Sequence, residues 1–119
     1  MRNSNSHTRT VKTKLNKSKN IFHAYNDIQF KYGKKLDEDE EIVEIKANVK
    51  LVGCELGDNY TTDFYCTRKD GNRFVRECVE RDRLMKPQMV RMLDASRSFW
   101  IANGVEDWGI VIDGEWIIY

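Results

Sequence analysis

A mixed α+β domain, an α/β-type arrangement of one long helix packed against a mixed sheet, is the fold class that this 119-residue sequence predicts. Three observations predict it. Two strand-like runs, Tyr60–Cys66 and Arg73–Val79, are rich in aromatic, β-branched and Cys residues and are separated by a Lys69-Asp70-Gly71 turn signal. A helical pattern then runs from Pro87 to Ala102, with Met89, Met92, Leu93, Ser96, Phe99 and Trp100 on one wide face. The short apolar run Trp108–Ile112, bounded by Asp107 and Asp113, suits a buried strand. Strands, one helix and more strand in that order give a sheet with a helix across it.

The elements follow along the chain. Met1 to about Lys12 is polar, built from Asn, Ser, His and Thr, and is expected to be disordered. Residues 1–19 as a whole read as a flexible basic arm, with residues 20–119 as a single domain. Asn20 to about Lys31 carries Phe22, Tyr25 and Phe30, with Tyr32 just beyond, and predicts a helix anchored to the core. Leu36–Glu44 holds six carboxylates (Asp37, Glu38, Asp39, Glu40, Glu41, Glu44) and is expected to be solvated. Ile42–Ile45 and Val49–Leu56 read as strands, Gly53 as a bulge, and Gly57-Asp58-Asn59 as the turn into the hairpin. Arg81–Lys86 links the hairpin to the helix, whose first turn is pre-set by Pro87 and whose end is closed by Asn103-Gly104. Asp113-Gly114 turns the chain into Trp116–Tyr119, a further hairpin or edge strand.

Composition narrows the function classes. The length suits one domain with a modest core. No apolar run approaches membrane-spanning length, and Met1–Lys19 lacks the apolar stretch of a signal peptide, so no membrane partner and a cytoplasmic location are expected. Cys54, Cys66 and Cys78 are odd in number and far apart, which supports neither a disulfide framework nor a Cys-pair zinc site. They read as small core residues. His7 and His23 are too isolated to form a metal site, and no internal repeat or Gly-rich phosphate loop is present.

The net charge of +1 hides an asymmetry. Residues 1–35 carry nine Lys or Arg against Asp27 alone, a surplus of eight, so the remainder carries a net −7. Arg9, Lys12, Lys14, Lys17 and Lys19 make the arm a candidate for phosphate backbones, where each neutralised phosphate releases counterions. A solvated tail whose lysines serve solubility explains the same composition.

Asp63 and Glu77 are the candidate chemical residues. A three-residue Lys69-Asp70-Gly71 loop, with Gly71 in the left-handed region, pairs Arg68 with Asn72 and sets Asp63 directly opposite Glu77. A two-residue Asp70-Gly71 loop shifts the register by one and sends the acids to opposite faces. Gly at the third loop position favours the first arrangement. Opposed carboxylates about 5 Å apart at Cβ need a cation between them. Mg²⁺ is one candidate, and Arg76 or Arg81 is another. Asp63 sits in an otherwise uncharged run, Tyr-Thr-Thr-Asp-Phe-Tyr-Cys, whereas Arg76, Glu80 and Arg81 could hold Glu77 as an ordinary ion-pair member.

The order strand with Asp63, turn, strand with Glu77, core helix, strand resembles the common core of the restriction-endonuclease-like superfamily. Thr-Thr-Asp-Phe followed by Phe-Val-Arg-Glu-Cys-Val is most similar to the TnsA-like endonuclease subunits of heteromeric transposases, over about Val49–Ile112. The resemblance implies metal binding by Asp63 and Glu77, with Mg²⁺ as cofactor and Mn²⁺ as substitute, and DNA as substrate. It also implies a mobile-element setting and a second subunit or dimer as partner. Thr62 stands where the family has proline, and an upstream Glu has no clear match, Glu44 and Glu55 being options. The family's lysine two residues after the second acid is Val79 here. That lysine steers the attacking water and offsets charge on the scissile phosphate, which valine cannot do. Arg81, one strand step further, could supply the charge but is a poor base. Two functions are therefore expected: a metal-dependent endonuclease subunit with Asp63, Glu77 and Arg81 catalytic, or a catalytically inactive binding module. The second would target nucleic acid or a nucleic-acid-processing protein, as an inhibitor of a CRISPR effector does.

Overall fold

The computed structural model describes residues 2–3, 10–57, 59–112 and 115–118. They form a mixed α+β fold. The strands are β1 (Arg2–Asn3), β2 (Val11–Thr13), β3 (Phe22–Ala24), β4 (Ile42–Lys50), β5 (Tyr60–Arg68), β6 (Arg73–Cys78), β7 (Asp107–Ile112) and β8 (Glu115–Ile118). The helices are α1 (Asp27–Glu38) and α2 (Pro87–Ala102), with a 3₁₀ turn at Arg81–Arg83. β4, β5, β6, β7 and β8 lie side by side in one sheet. All neighbours are antiparallel except β6 and β7, which run parallel because α2 carries the chain back across the sheet. β1 pairs with Tyr60 and Thr61 at the start of β5, and β2 and β3 form a separate small hairpin.

Two apolar clusters divide the sheet's faces. On one side Met89, Leu93 and Trp100 of α2 pack on Val75, Val79, Trp108 and Ile110. On the other, Tyr32 and Leu36 of α1, with Leu15 and Phe22, pack on Phe64, Cys66, Phe74 and Val111. β5, β6 and β7 are thus buried on both faces, which explains their long apolar and aromatic runs. Pro87 at the first helical turn and a main-chain cap at Asn103 bound α2 where the sequence sets it.

Three expectations are corrected. The first helix begins at Asp27 and not Asn20, because the Asn26 side chain accepts the Gln29 N–H as N-cap while Phe22–Ala24 pair with β2. Val49–Leu56 is no second strand: Ile42–Lys50 is one strand, and the chain then turns through Leu51–Gly57, with Gly53 at φ 83°. The arm is not free of the domain from residue 10 onward. Leu15 is fully buried, Asn16 and Lys17 donate main-chain N–H groups to the Asp37 carboxylate at 2.9 and 3.0 Å, and the Lys17 carbonyl accepts from Ile45 N–H. Arg2 and Asn3, expected to be disordered, pair with β5.

The α1 layer leaves no slack at Gly33. A Cβ there would lie 2.7 Å from Phe22 Cε2 and 3.1 Å from Phe64 Cζ. Gly33→Ala is therefore expected to lower stability in urea unfolding despite the gain of about 0.5–1 kcal/mol in helix propensity. A stabilised variant would contradict this packing.

Candidate functional site: a buried carboxylate hub

The hairpin has the three-residue loop. Arg68 N–H donates to Asn72 O, Gly71 N–H to Arg68 O, and Gly71 takes φ 87°. The Asp70 carboxylate accepts the Asn72 N–H, which fixes the turn. The register runs from Thr67↔Arg73 to Phe64↔Arg76, and its continuation sets Asp63 opposite Glu77. Here the ladder stops. β6 continues beside β7 as far as Cys78, while Tyr60 and Thr61 of β5 take β1 instead.

Side-chain alternation breaks at the same place. Tyr60 and Tyr65 both pack on the α2 side although five positions separate them, and Phe64 and Cys66 pack on the α1 side. One slip between Tyr60 and Phe64 is required. On β4, Ala47 belongs to the α1 side and Val49 to the α2 side, so the matching slip falls on Asn48, at φ 55°. Asn48 holds that conformation by accepting from Gln29 Nε2 at 2.9 Å and donating to His23 O at 2.8 Å. The flanking pairs Ala47↔Phe64 and Val49↔Thr62 make Asn48 and Asp63 one rung. The sequence-based view of two acids on one face assumed unbroken alternation. Asp63, caught between Thr62 and Phe64, instead turns into the gap between β5 and β6.

Both carboxylates fill that gap with side-chain to main-chain bonds. Glu77 Oε1 accepts Asp63 N–H at 2.8 Å, and Asp63 Oδ2 accepts Cys78 N–H at 2.7 Å. Glu77 Oε2 accepts two hydroxyls, Thr62 Oγ1 at 3.0 Å and Ser96 Oγ at 2.5 Å. Each hydroxyl in turn accepts an indole N–H: Trp100 Nε1 on Thr62 at 2.6 Å and Trp108 Nε1 on Ser96 at 3.0 Å. Two indole–hydroxyl relays therefore converge on one carboxylate oxygen, each hydroxyl polarised by the N–H behind it. Glu77 is 0% exposed and Asp63 4%. Burial pushes the Glu77 carboxyl above the ordinary range, and the nearby Asp63 charge adds to the rise, while the bonds from Ser96 and the Asp63 main chain oppose it.

The other predicted residues sit elsewhere. Val79 is buried in the α2-side core. β6 ends at Cys78, so Arg81 is not a further strand step: it opens an exposed 3₁₀ turn. Arg76 turns to the α1 side, over the Phe74 ring and 2.9 Å from Asp107, whose carboxyl stays below its usual value because the Arg76 and Arg68 bonds outweigh its partial burial. Glu44 and Glu55 lie outside the gap's hydrogen-bonding set, whereas buried Gln29, from the first turn of α1, lines a cavity beside Asp63 with Tyr25, Asn26 and Cys78. Gln29 was missed by sequence reasoning, since an uncharged residue on an irregular helix start gives no signal. Lys12, Lys14 and Lys19 are exposed, Lys17 is half-buried with its ammonium on Asp39 O, and Arg9 lies outside the described residues. All three cysteines are buried free thiols; burial pushes Cys66 up to about 12 and Cys78 well above its ordinary value. No described helix is long and apolar enough to cross a membrane.

A hydrated divalent cation does not fit the two acids. Mg²⁺ needs octahedral oxygen ligands and keeps several waters. The bonds to Glu77 already engage both of its oxygens, and the cavity beside Asp63 is about 20 Å³, room for about one water. Among the described residues no three His, Cys, Asp or Glu side chains are grouped to hold a metal. Compared with known proteins, the chain matches no family model and no curated protein.

Glu77 titrates above its unfolded value when folded, so its contribution is fully present below the unfolded pKa of about 4.3 and is lost as pH rises through the folded value. Wild type should therefore lose stability relative to Glu77→Gln as pH is raised from 4 to 8 in parallel urea titrations. A constant difference across that range would show that the buried carboxyl is not raised.

Proposed function

We propose that the protein is a nucleic-acid-binding module of nuclease descent, of the mobile-element type, in which the hydrolytic centre has become a structural hub. The single observation behind this reading is the engagement of Glu77: a carboxylate wholly buried and bonded to one main-chain N–H and two hydroxyls is a clamp, not an open ligand. Val79 lies in the core and Arg81 in an exposed turn, so neither stands in the gap where the resembling nucleases place their lysine. Nuclease descent draws support from the element order, with α1 and α2 on opposite faces of a sheet whose adjacent strands β5 and β6 carry Asp63 and Glu77 one step past their last paired residues. Binding draws support from the exposed Lys12 of β2 and Lys14 and Lys19 of the loop that joins β2 to β3.

Incubation with supercoiled plasmid and Mn²⁺ is expected to leave the plasmid intact. DNA binding should weaken with salt at a log–log slope of about −2 to −3, the value for some three neutralised phosphates. Nicking that disappears in Asp63→Asn would overturn the non-cleaving reading and support the endonuclease. Salt-independent binding, or none, would overturn the nucleic-acid role.

A further inference from the structure

A basic surface that joins Lys19 to residues the sequence does not mark runs from the β4 edge across the hairpin end of the sheet. A groove of about 210 Å³ lies between the loop Ser18–Ile21 and the outer edge of β4, lined by Lys19, Ile21, Lys46, Ala47 and Val49. Glu44 also lines it. Ile21 is 54% exposed there, an apolar side chain flanked by lysines. Lys46 sits opposite Tyr65 in the ladder, with its ammonium 5.9 Å from the ring centre. On the next strand Arg73 donates to the Tyr65 hydroxyl at 2.7 Å. Lys46 and Arg73 are exposed and Tyr65 is half-buried between them. Lys19 of the loop, Lys46 of β4, Tyr65 of β5 and Arg73 of β6 thus follow one another, the three strands lying about 5 Å apart in the sheet.

We propose that this track holds a single nucleic-acid strand, a reading that rests on the binding half of the proposed function. Charge complementarity favours a polyanion: Lys19 and Lys46 line the groove with Glu44 as its one described carboxylate, and exposed Arg73 extends the basic line beyond it. The shape favours one strand over a duplex. Duplex readers insert a helix or ribbon into a groove, and here the contacting surface is an open sheet end beside a narrow cleft. Tyr65, Ile21 and Val49 offer apolar surface to unstacked bases, while Lys19, Lys46 and Arg73 meet the backbone, the combination used for single strands. Tyr65 also packs on Trp100 with ring centres 4.7 Å apart, so a seated strand should alter tryptophan emission.

The test is fluorescence anisotropy of the full chain with labelled dT12 and a 12-base-pair duplex, with tryptophan emission read in parallel. The single strand should bind more tightly than the duplex and change the emission. Lys46→Glu and Lys19→Glu should each weaken dT12 binding by at least about fivefold, and Lys34→Glu on exposed α1 should change it by less than about twofold. Duplex preference, or equal loss in the Lys34→Glu control, overturns the track and leaves the proposed function standing. Failure to bind either oligonucleotide overturns both. Plasmid nicking overturns the non-cleaving reading alone.

Discussion

The buried Glu77 carboxylate is the constraint on which the rest of the arrangement depends. A carboxylate removed from water is costly unless donors replace its hydration, and a donor or acceptor left without its partner costs about 1–3 kcal/mol. Glu77 on β6 meets that demand with donors from β5 (Thr62 and the Asp63 main chain) and from α2 (Ser96). Trp100 of α2 and Trp108 of β7 complete the relays. One side chain therefore ties three strands and the long helix together at the point where β5 and β6 part. The parting is itself a consequence, since carboxylates replace ladder bonds at Asp63 N–H and Cys78 N–H.

That arrangement shapes the chemistry the proposal assigns. A hydrolytic centre needs carboxylate oxygens open to a cation and its waters, with a positioned charge at the scissile phosphate. The gap between β5 and β6 instead has its oxygens turned to protein donors, with an aliphatic Val79 in the adjoining core. Two arginines of the hairpin point away from the gap. Arg76 and Arg68 both stack on Phe74 and share Asp107, an ion cluster at the far end of β6. Folding also brings the basic segment against the acidic one: the Lys17 main-chain N–H donates to the Asp37 carboxylate and its ammonium to the Asp39 carbonyl.

Much of the fold was legible because local signals agreed. Pro87 and Asn103 bracket α2, the apolar face of that helix was readable from its spacing, and Gly71 fixed the hairpin register that brings Asp63 to the rung of Glu77. The start of α1 was misread because Phe22, Tyr25 and Phe30 fit a helical stripe, whereas Phe22 is a strand residue facing Phe64. The candidate site was legible as to residues and not as to role. Period-two reasoning carries no information about a slip, and the slip at Asn48 and Asp63 depends on tertiary bonds from Gln29 and His23. Ser96, Trp100 and Trp108 read as core, which they are, but their polar atoms make the hub, and that pairing joins residues up to 38 positions apart.

The most direct measurement is an anomalous-scattering map from crystals of the protein soaked in Mn²⁺. The expected result is no peak between Asp63 and Glu77, with Glu77 still bonded to Thr62 and Ser96. A manganese ion bridging the two acids, with Glu77 turned away from those hydroxyls, would contradict the structural role given to that carboxylate.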